Sequence, residues 1–181
     1  MEKKIKKNHY INNEKFLKEM VSWLEDVKKA KRKGQPRPKV PDYIGECLLA
    51  IATNLSYKPN FINYQYRDDM VMDGVENCLQ YITNFDPEKS SNPFSYFTQI
   101  SYWAFVRRIE REKKQLYVKL KSIQDNIIHD EKVTVTQYGS DHANSQMEQF
   151  IQQFEEKKKA KKKVKEKKSK SAITDLINRV D

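Results

Sequence analysis

Between residues 94 and 114 the chain places six aromatic rings just ahead of a run of cations. The rings are Phe94, Tyr96, Phe97, Tyr102, Trp103 and Phe105; the cations are Arg107, Arg108, Arg111, Lys113 and Lys114. Aromatic side chains that lead into arginine and lysine can stack unpaired nucleobases while the cations hold the adjoining phosphates. Tyr96, Phe97, Tyr102 and Trp103 are therefore candidate stacking residues, and Arg107, Arg108 and Arg111 candidate phosphate contacts. The competing reading is that the rings are core and the charges a solvated face. At a helical period, Phe94, Phe105 and Ile109 fall on one side, with Tyr96 and Trp103 nearly opposite. Phe97, Ile100 and Ala104 take one flank; Tyr102 and Val106 take the other. A surface helix buries one stripe, so part of this aromatic surface is left for a partner.

A second pattern lies just upstream. Met70, Val71, Gly74, Val75, Cys78, Leu79 and Ile82 recur at spacings of three and four and predict an amphipathic helix. Asp69, Asp73, Glu76 and Gln80 recur with the same period on its other side, as an acidic solvated face. Other chemistry lacks its constellations. No Ser/His/Asp or Cys/His arrangement demands catalysis, and three scattered histidines with two cysteines make no metal site. The four glycines form no phosphate cradle, so neither an enzyme nor a cofactor is expected. Cys47 and Cys78 sit on apolar stripes and read as buried, reduced thiols. No apolar run approaches a membrane span, and no signal peptide opens the chain.

These patterns need elements to position them, and the expected architecture is all-α. Residues 1–11 read as a mobile basic tail. Asn13 is expected to cap a helix to about Lys31, with Phe16, Met20, Trp23 and Val27 on one stripe and Leu17, Val21 and Leu24 beside it. Lys28 to Lys39, broken by Gly34, Pro36 and Pro38, reads as a charged linker. Asp42 is the expected cap of the next helix, whose stripe is Ile44, Cys47, Leu48, Ile51, Ala52 and Leu55. Tyr57-Lys58-Pro59-Asn60 ends it. The acidic-faced helix then runs to Asn84-Phe85-Asp86-Pro87, where the proline restricts its predecessor. Asn92-Pro93 starts the aromatic helix, Asn as cap and Pro at the first helical position. Four helices over residues 12–121 can thus share one core. Over 122–156, Ile123, Ile127 and Ile128 suggest a short helix after a turn. Val133 to Thr136 alternates like a strand, and Met147, Phe150, Ile151 and Phe154 predict a helix from about Asn144 without an obvious partner.

In order along the chain, Asp69-Met-Val-Met-Asp-Gly74, Asn84-Phe85-Asp86-Pro87-Glu88 and Phe94-Ser95-Tyr96-Phe97 resemble conserved region 2 of bacterial sigma factors. The likeness extends to the late-transcription sigma factors of T-even-type phages. Those share the Asn12-Asn13 opening, the D-G, N-F-D and N-P punctuation, and the Ala104-Phe-Val-x-Arg-Ile109 run. The resemblance covers about residues 10–120. It implies a compact helical region 2-like domain that binds core RNA polymerase through Asp69, Asp73, Glu76 and Gln80. It further implies recognition of an AT-rich late promoter element and support of strand opening by the second helix, in the cytoplasm of an infected bacterial host. The chain departs from the family at five positions. Met72 and Val75 replace polar residues of the polymerase-binding helix, and Ile100 and Ser101 replace a tryptophan pair that captures bases. Phe97 stands at the position of a tyrosine.

Residues 157–170 hold ten lysines against Glu166, contributing +9 of the formal +10. The basicity therefore belongs to a tail, expected to be extended and disordered, which attracts DNA in a salt-sensitive way. Residues 171–181 then turn apolar, with Ile173, Leu176, Ile177 and Val180 at helical spacing, as suits a peptide that docks in a groove. By the same resemblance, Ile173, Asp175, Leu176 and Ile177 would bind the replication sliding clamp. Two alternatives stand beside the sigma-factor reading: a general DNA-binding or architectural protein without polymerase contact, and a protein–protein adaptor. The acidic face weighs against the former, since it repels phosphate.

Overall fold

The computed structural model describes residues 10–129 and 141–177, with side chains for 10–125, 145–164 and 166. All regular structure among them is helical, and no strand occurs. The order is α1 (Asn13–Arg32), α2 (Asp42–Ser56), α3 (Arg67–Tyr81) with a 3₁₀ turn at Ile82–Asn84, α4 (Pro93–His129) and α5 (Asp141–Ile177). The region expected to alternate as a strand, Val133 to Thr136, lies outside the described residues.

Local chemistry sets most of the helix ends, and two caps differ from expectation. Asn12, not Asn13, caps α1: its side-chain oxygen accepts from the Lys15 amide at 3.1 Å. Asn13 Oδ1 instead accepts from the Phe94 amide at 3.3 Å, which ties the start of α1 to the start of α4. Asp42 does not cap α2; Pro41 holds that position and no side chain caps it. The Asp42 carboxylate lies in the first turn, where it complements the helix dipole. α1 closes through Gly34 in the left-handed region, φ 67°. Gln35 N–H donates to Ala30 O at 2.9 Å and Gly34 N–H to Lys31 O at 3.2 Å, satisfying two terminal carbonyls. Asn92 does cap α4, accepting from the Ser95 amide at 3.0 Å.

The chain divides into two compact units, Met1–Glu110 and Arg111–Asp181, with the boundary inside α4. In the first unit, one apolar cluster joins Phe16, Met20, Trp23 and Leu24 of α1 to Ile44, Cys47, Leu48 and Ile51 of α2, Cys78 of α3 and Phe97 of α4. A second cluster joins Ala52 and Leu55 to Met70, Val71, Phe61 and Phe105. Each such large side chain, taken from water, contributes about 1.5–3 kcal/mol. Of the expected mobile tail, residues 1–9 lie outside the described residues, while Ile11 is buried and Tyr10 meets Phe94 edge-on at 5.7 Å, so these two belong to the folded unit. The charged linker is pinned as well. Trp23 Nε1 donates to Lys39 O at 3.1 Å, and the Arg37 guanidinium lies 5.4 Å from the Trp23 ring centre.

In the second unit α4 continues past Lys121 without the expected turn, since neither Gly nor Pro occurs between Phe94 and His129. This continuation supplies the partner that the helix beginning near Asn144 lacked in the sequence reading. Tyr117 stacks on Phe154 at 4.5 Å and donates its hydroxyl to Glu155 Oε1 at 3.1 Å, and Ile151 is buried. The backbone from Lys157 to Lys170, expected to be extended, is helical. Lysine is a fair helix former, and Lys162 and Glu166 pair at 4.0 Å one turn apart. From 157 to 164 every side chain is exposed, so along that stretch the helix is supported by propensity and by pairs on its own surface rather than by burial. For the docking peptide only the backbone is described: it is helical to Ile177.

Candidate functional site

α3 and α4 lie against each other through a glycine. A Cβ built on Gly74 would come within 2.7 Å of Phe105 Cε1 and 3.5 Å of Ala52 Cβ. Gly74 thus lets Phe105 seat directly on the backbone of α3, and this close approach places the acidic row of α3 beside the arginines of α4.

The two candidate sets meet there. Arg108 Nη1 donates to Asp73 Oδ2 at 2.9 Å, and Arg108 Nη2 donates to Asp69 Oδ2 at 3.3 Å. Arg107 Nη2 donates to Asn77 Oδ1 at 2.7 Å. The Arg108 side chain is 20% exposed and that of Asp73 27%, against 63% for Asp69. The Asp73 contact is shorter and better shielded, so it is the stronger of the two. Two residues expected to meet polymerase therefore hold a residue expected to meet DNA. Glu76 and Gln80 remain exposed on the same helix.

The aromatic set separates by burial. Phe97 is fully buried, packed 5.8 Å from Phe16 and 6.1 Å from Phe85, and it cannot stack a base: this assignment is corrected. The core wins at this position because α4 turns its Phe97, Ser101 and Ala104 edge toward the other helices. Tyr96 is half-buried between Phe85 at 5.3 Å and Phe97 at 5.0 Å, and burial pushes its hydroxyl pKa above the ordinary value. Tyr102 and Trp103 are the exposed pair, in edge contact at 5.4 Å; the indole is 51% exposed. Tyr102 also meets Phe61 edge-on at 5.7 Å, which fixes its ring from beneath. Arg107 is exposed one turn beyond Trp103. Arg111 belongs to the second unit and is exposed there.

Two features lay outside the sequence reading. Phe61, in the non-helical stretch between α2 and α3, is buried and stands edge-on to Phe105 at 5.2 Å. Close by in sequence, Ile62, Tyr64, Gln65, Tyr66, Arg67, Asp68 and Asp69 line an open depression of about 380 Å³. The run Phe61-Ile-Asn-Tyr-Gln-Tyr66 is the available signal, since a loop this rich in rings can give one to the core: Phe61 is buried, while Ile62 and Tyr66 stay exposed.

The thiols are structural. Cys78 Sγ lies 3.3 Å from Ser101 Oγ and 3.6 Å from Phe97 O, and burial raises its pKa from 9.0 to about 11. Burial also raises that of Cys47. Among the described residues no group of His, Cys, Asp and Glu could hold a metal, and no helix is long and apolar enough to cross a membrane. Compared with known proteins, the chain matches no family model and no curated protein.

Proposed function

We propose that this chain is a sigma factor of the phage late-transcription type. It binds core RNA polymerase through the outer face of α3, with Glu76 and Gln80 free and Asp69 and Asp73 shared with Arg108. It directs the enzyme to an AT-rich element just upstream of the start. Tyr102 and Trp103 stack unpaired bases of the opened strand and Arg107 holds a phosphate. Phosphodiester chemistry stays with the polymerase. The observation that carries this reading is Trp103, an indole half in water on a helix whose opposite edge is fully buried. Its ring touches Tyr102 edge-on while much of its surface is unused by the core, as a base-stacking platform requires. The ordered resemblance to sigma region 2 supplies the polymerase partner and the promoter. Gly74 and Asn92 occupy structural positions at the glycine and N-P punctuation of that resemblance, one as a helix contact and one as a cap.

The terminal peptide around Ile173, Asp175, Leu176 and Ile177 completes the reading as a docking segment for the sliding clamp. The site of action is then the cytoplasm of the infected host. Affinity capture of core polymerase with the full chain tests the reading. Binding is expected, and transcripts with a defined start should appear only when the chain is added. A chain that binds duplex DNA equally with and without polymerase, and never retains polymerase, would instead be an architectural protein.

A further inference from the structure

We propose that the end of α1 and the linker folded back along it form a second nucleic-acid site, a basic surface that holds the phosphate backbone of duplex DNA. The choice of DNA rests on the reading above, in which a different face, on α4, takes unpaired bases. Residues 28–39 contain seven cations and no acid, and all seven are exposed. Two of them meet only exposed carboxylates, Lys29 with Asp26 at 3.1 Å and Lys39 with Asp42 at 3.6 Å. Such surface pairs are weak and exchange readily for phosphate. Among the described residues no carboxylate pairs with Lys28, Lys31, Arg32 or Lys33.

The fold turns this run of charge into a surface. Gly34, at φ 67°, reverses the chain at the end of α1. The linker then returns to Trp23, whose Nε1 donates to Lys39 O at 3.1 Å and whose ring centre lies 5.4 Å from the Arg37 guanidinium. Trp23 precedes the end of α1 by about two and a half turns, so helix and linker run side by side over about 14 Å. Two tracks of cations share that length, on backbones already fixed, which lowers the cost of ordering them on a ligand. A duplex presents about eight phosphates over the same distance, at one per ~1.7 Å. An acidic protein surface fits less well. Protein interfaces centre on aromatic or large apolar anchors, and residues 28–39 hold none. The patch also stands at the opposite end of α1 from Asn13, where α1 is tied to the start of α4.

The test uses the full chain without polymerase and a fluorescent duplex of mixed sequence, titrated at salt from about 50 to 200 mM. Lys28→Gln, Lys31→Gln and Lys33→Gln together should flatten the log–log salt slope by about 2.7 and weaken binding about tenfold or more at 100 mM salt. Lys18→Gln, Lys58→Gln and Lys89→Gln remove the same charge from exposed positions elsewhere in the first unit and should change affinity less than about twofold. Equal losses in the two sets would overturn the site, because net charge alone would then account for them. Unchanged duplex binding in the first set would also overturn it, and if that set captured less polymerase the surface would be a protein contact. Should the triple variant lose helical signal, Lys31→Gln alone should still flatten the slope by about 0.9. Capture of polymerase by the unmutated chain is a separate readout. Its failure would remove the sigma-factor reading and leave the duplex site standing, whereas matched losses in the two lysine sets would remove the site and leave that reading.

Discussion

Gly74→Ala is the most exacting substitution for the packing of α3 on α4. In an open helix this change gains about 1 kcal/mol, because alanine loses less backbone freedom than glycine. Here the new methyl would lie 2.7 Å from Phe105 Cε1, and ordinary contact begins near 3.4 Å, so the ring must retreat by about 0.7 Å. Phe105 is fully buried and braced edge-on by Phe61, so its retreat displaces other core side chains. Forcing an extra methyl into a filled core costs about 1–3 kcal/mol. The expected net is a loss of about 1 kcal/mol. Gly45 on α2 is the internal control: a Cβ there meets nothing within 4 Å, so Gly45→Ala should stabilise by about 0.5–1 kcal/mol. Urea unfolding followed by circular dichroism reads both, as opposite shifts of the midpoint at unchanged slope. If Gly74→Ala stabilises as much as Gly45→Ala, the helices do not approach as described and the acidic row is not brought to Arg108 by this contact.

Burial separates the aromatic residues of α4 by outcome. Phe97→Ala should cost about 3–5 kcal/mol of stability, whereas Trp103→Ala should cost about 1 kcal/mol or less, both read by urea unfolding. Cys78 should resist thiol reagents at pH 8 in the folded chain and react freely in urea. Its folded pKa of about 11 lies above the ordinary 9.0, so its contribution is fully present below pH 9 and lost as pH rises toward 11. At about 1.4 kcal/mol per unit this is of order 2–3 kcal/mol, and a Cys78→Ala chain should show a shallower alkaline fall in stability. In the second unit, Phe154→Ala removes the stack on Tyr117 and should reduce helical signal, most visibly with heating.

Residues whose neighbours are close in sequence were legible; residues whose neighbours are distant were not. The stripe of α1, the stripe of α2 and the Asn92-Pro93 start all follow from local period and capping, and the structure repeats them. Asn12 and Asn13 are the same residue type side by side, and only the position of Phe94 decides which one caps and which one reaches across. α4 presents rings on every side, so its period alone could not say that Phe97 faces the core and Trp103 faces water. The continuation of α4 to His129 was readable from the absence of breakers, yet weak apolar periodicity after Lys121 obscured it. The lysine run was read through its repulsion, while the helical backbone there reflects propensity. Acidic period and basic run were each visible. That Asp69 and Asp73 hold Arg108 was not, because the pairing spans 35 and 39 residues and depends on Gly74.

The measurement that bears most directly on the sigma-factor reading is strand binding by the chain in complex with core polymerase, comparing the unmutated protein with Trp103→Ala. An AT-rich single strand should bind the complex far better than either component alone. Trp103→Ala should weaken that binding by about 1–3 kcal/mol, the loss of one stacked base, while polymerase affinity stays the same. Equal strand affinity with and without the indole, or a complex that binds the strand no better than polymerase alone, would contradict it.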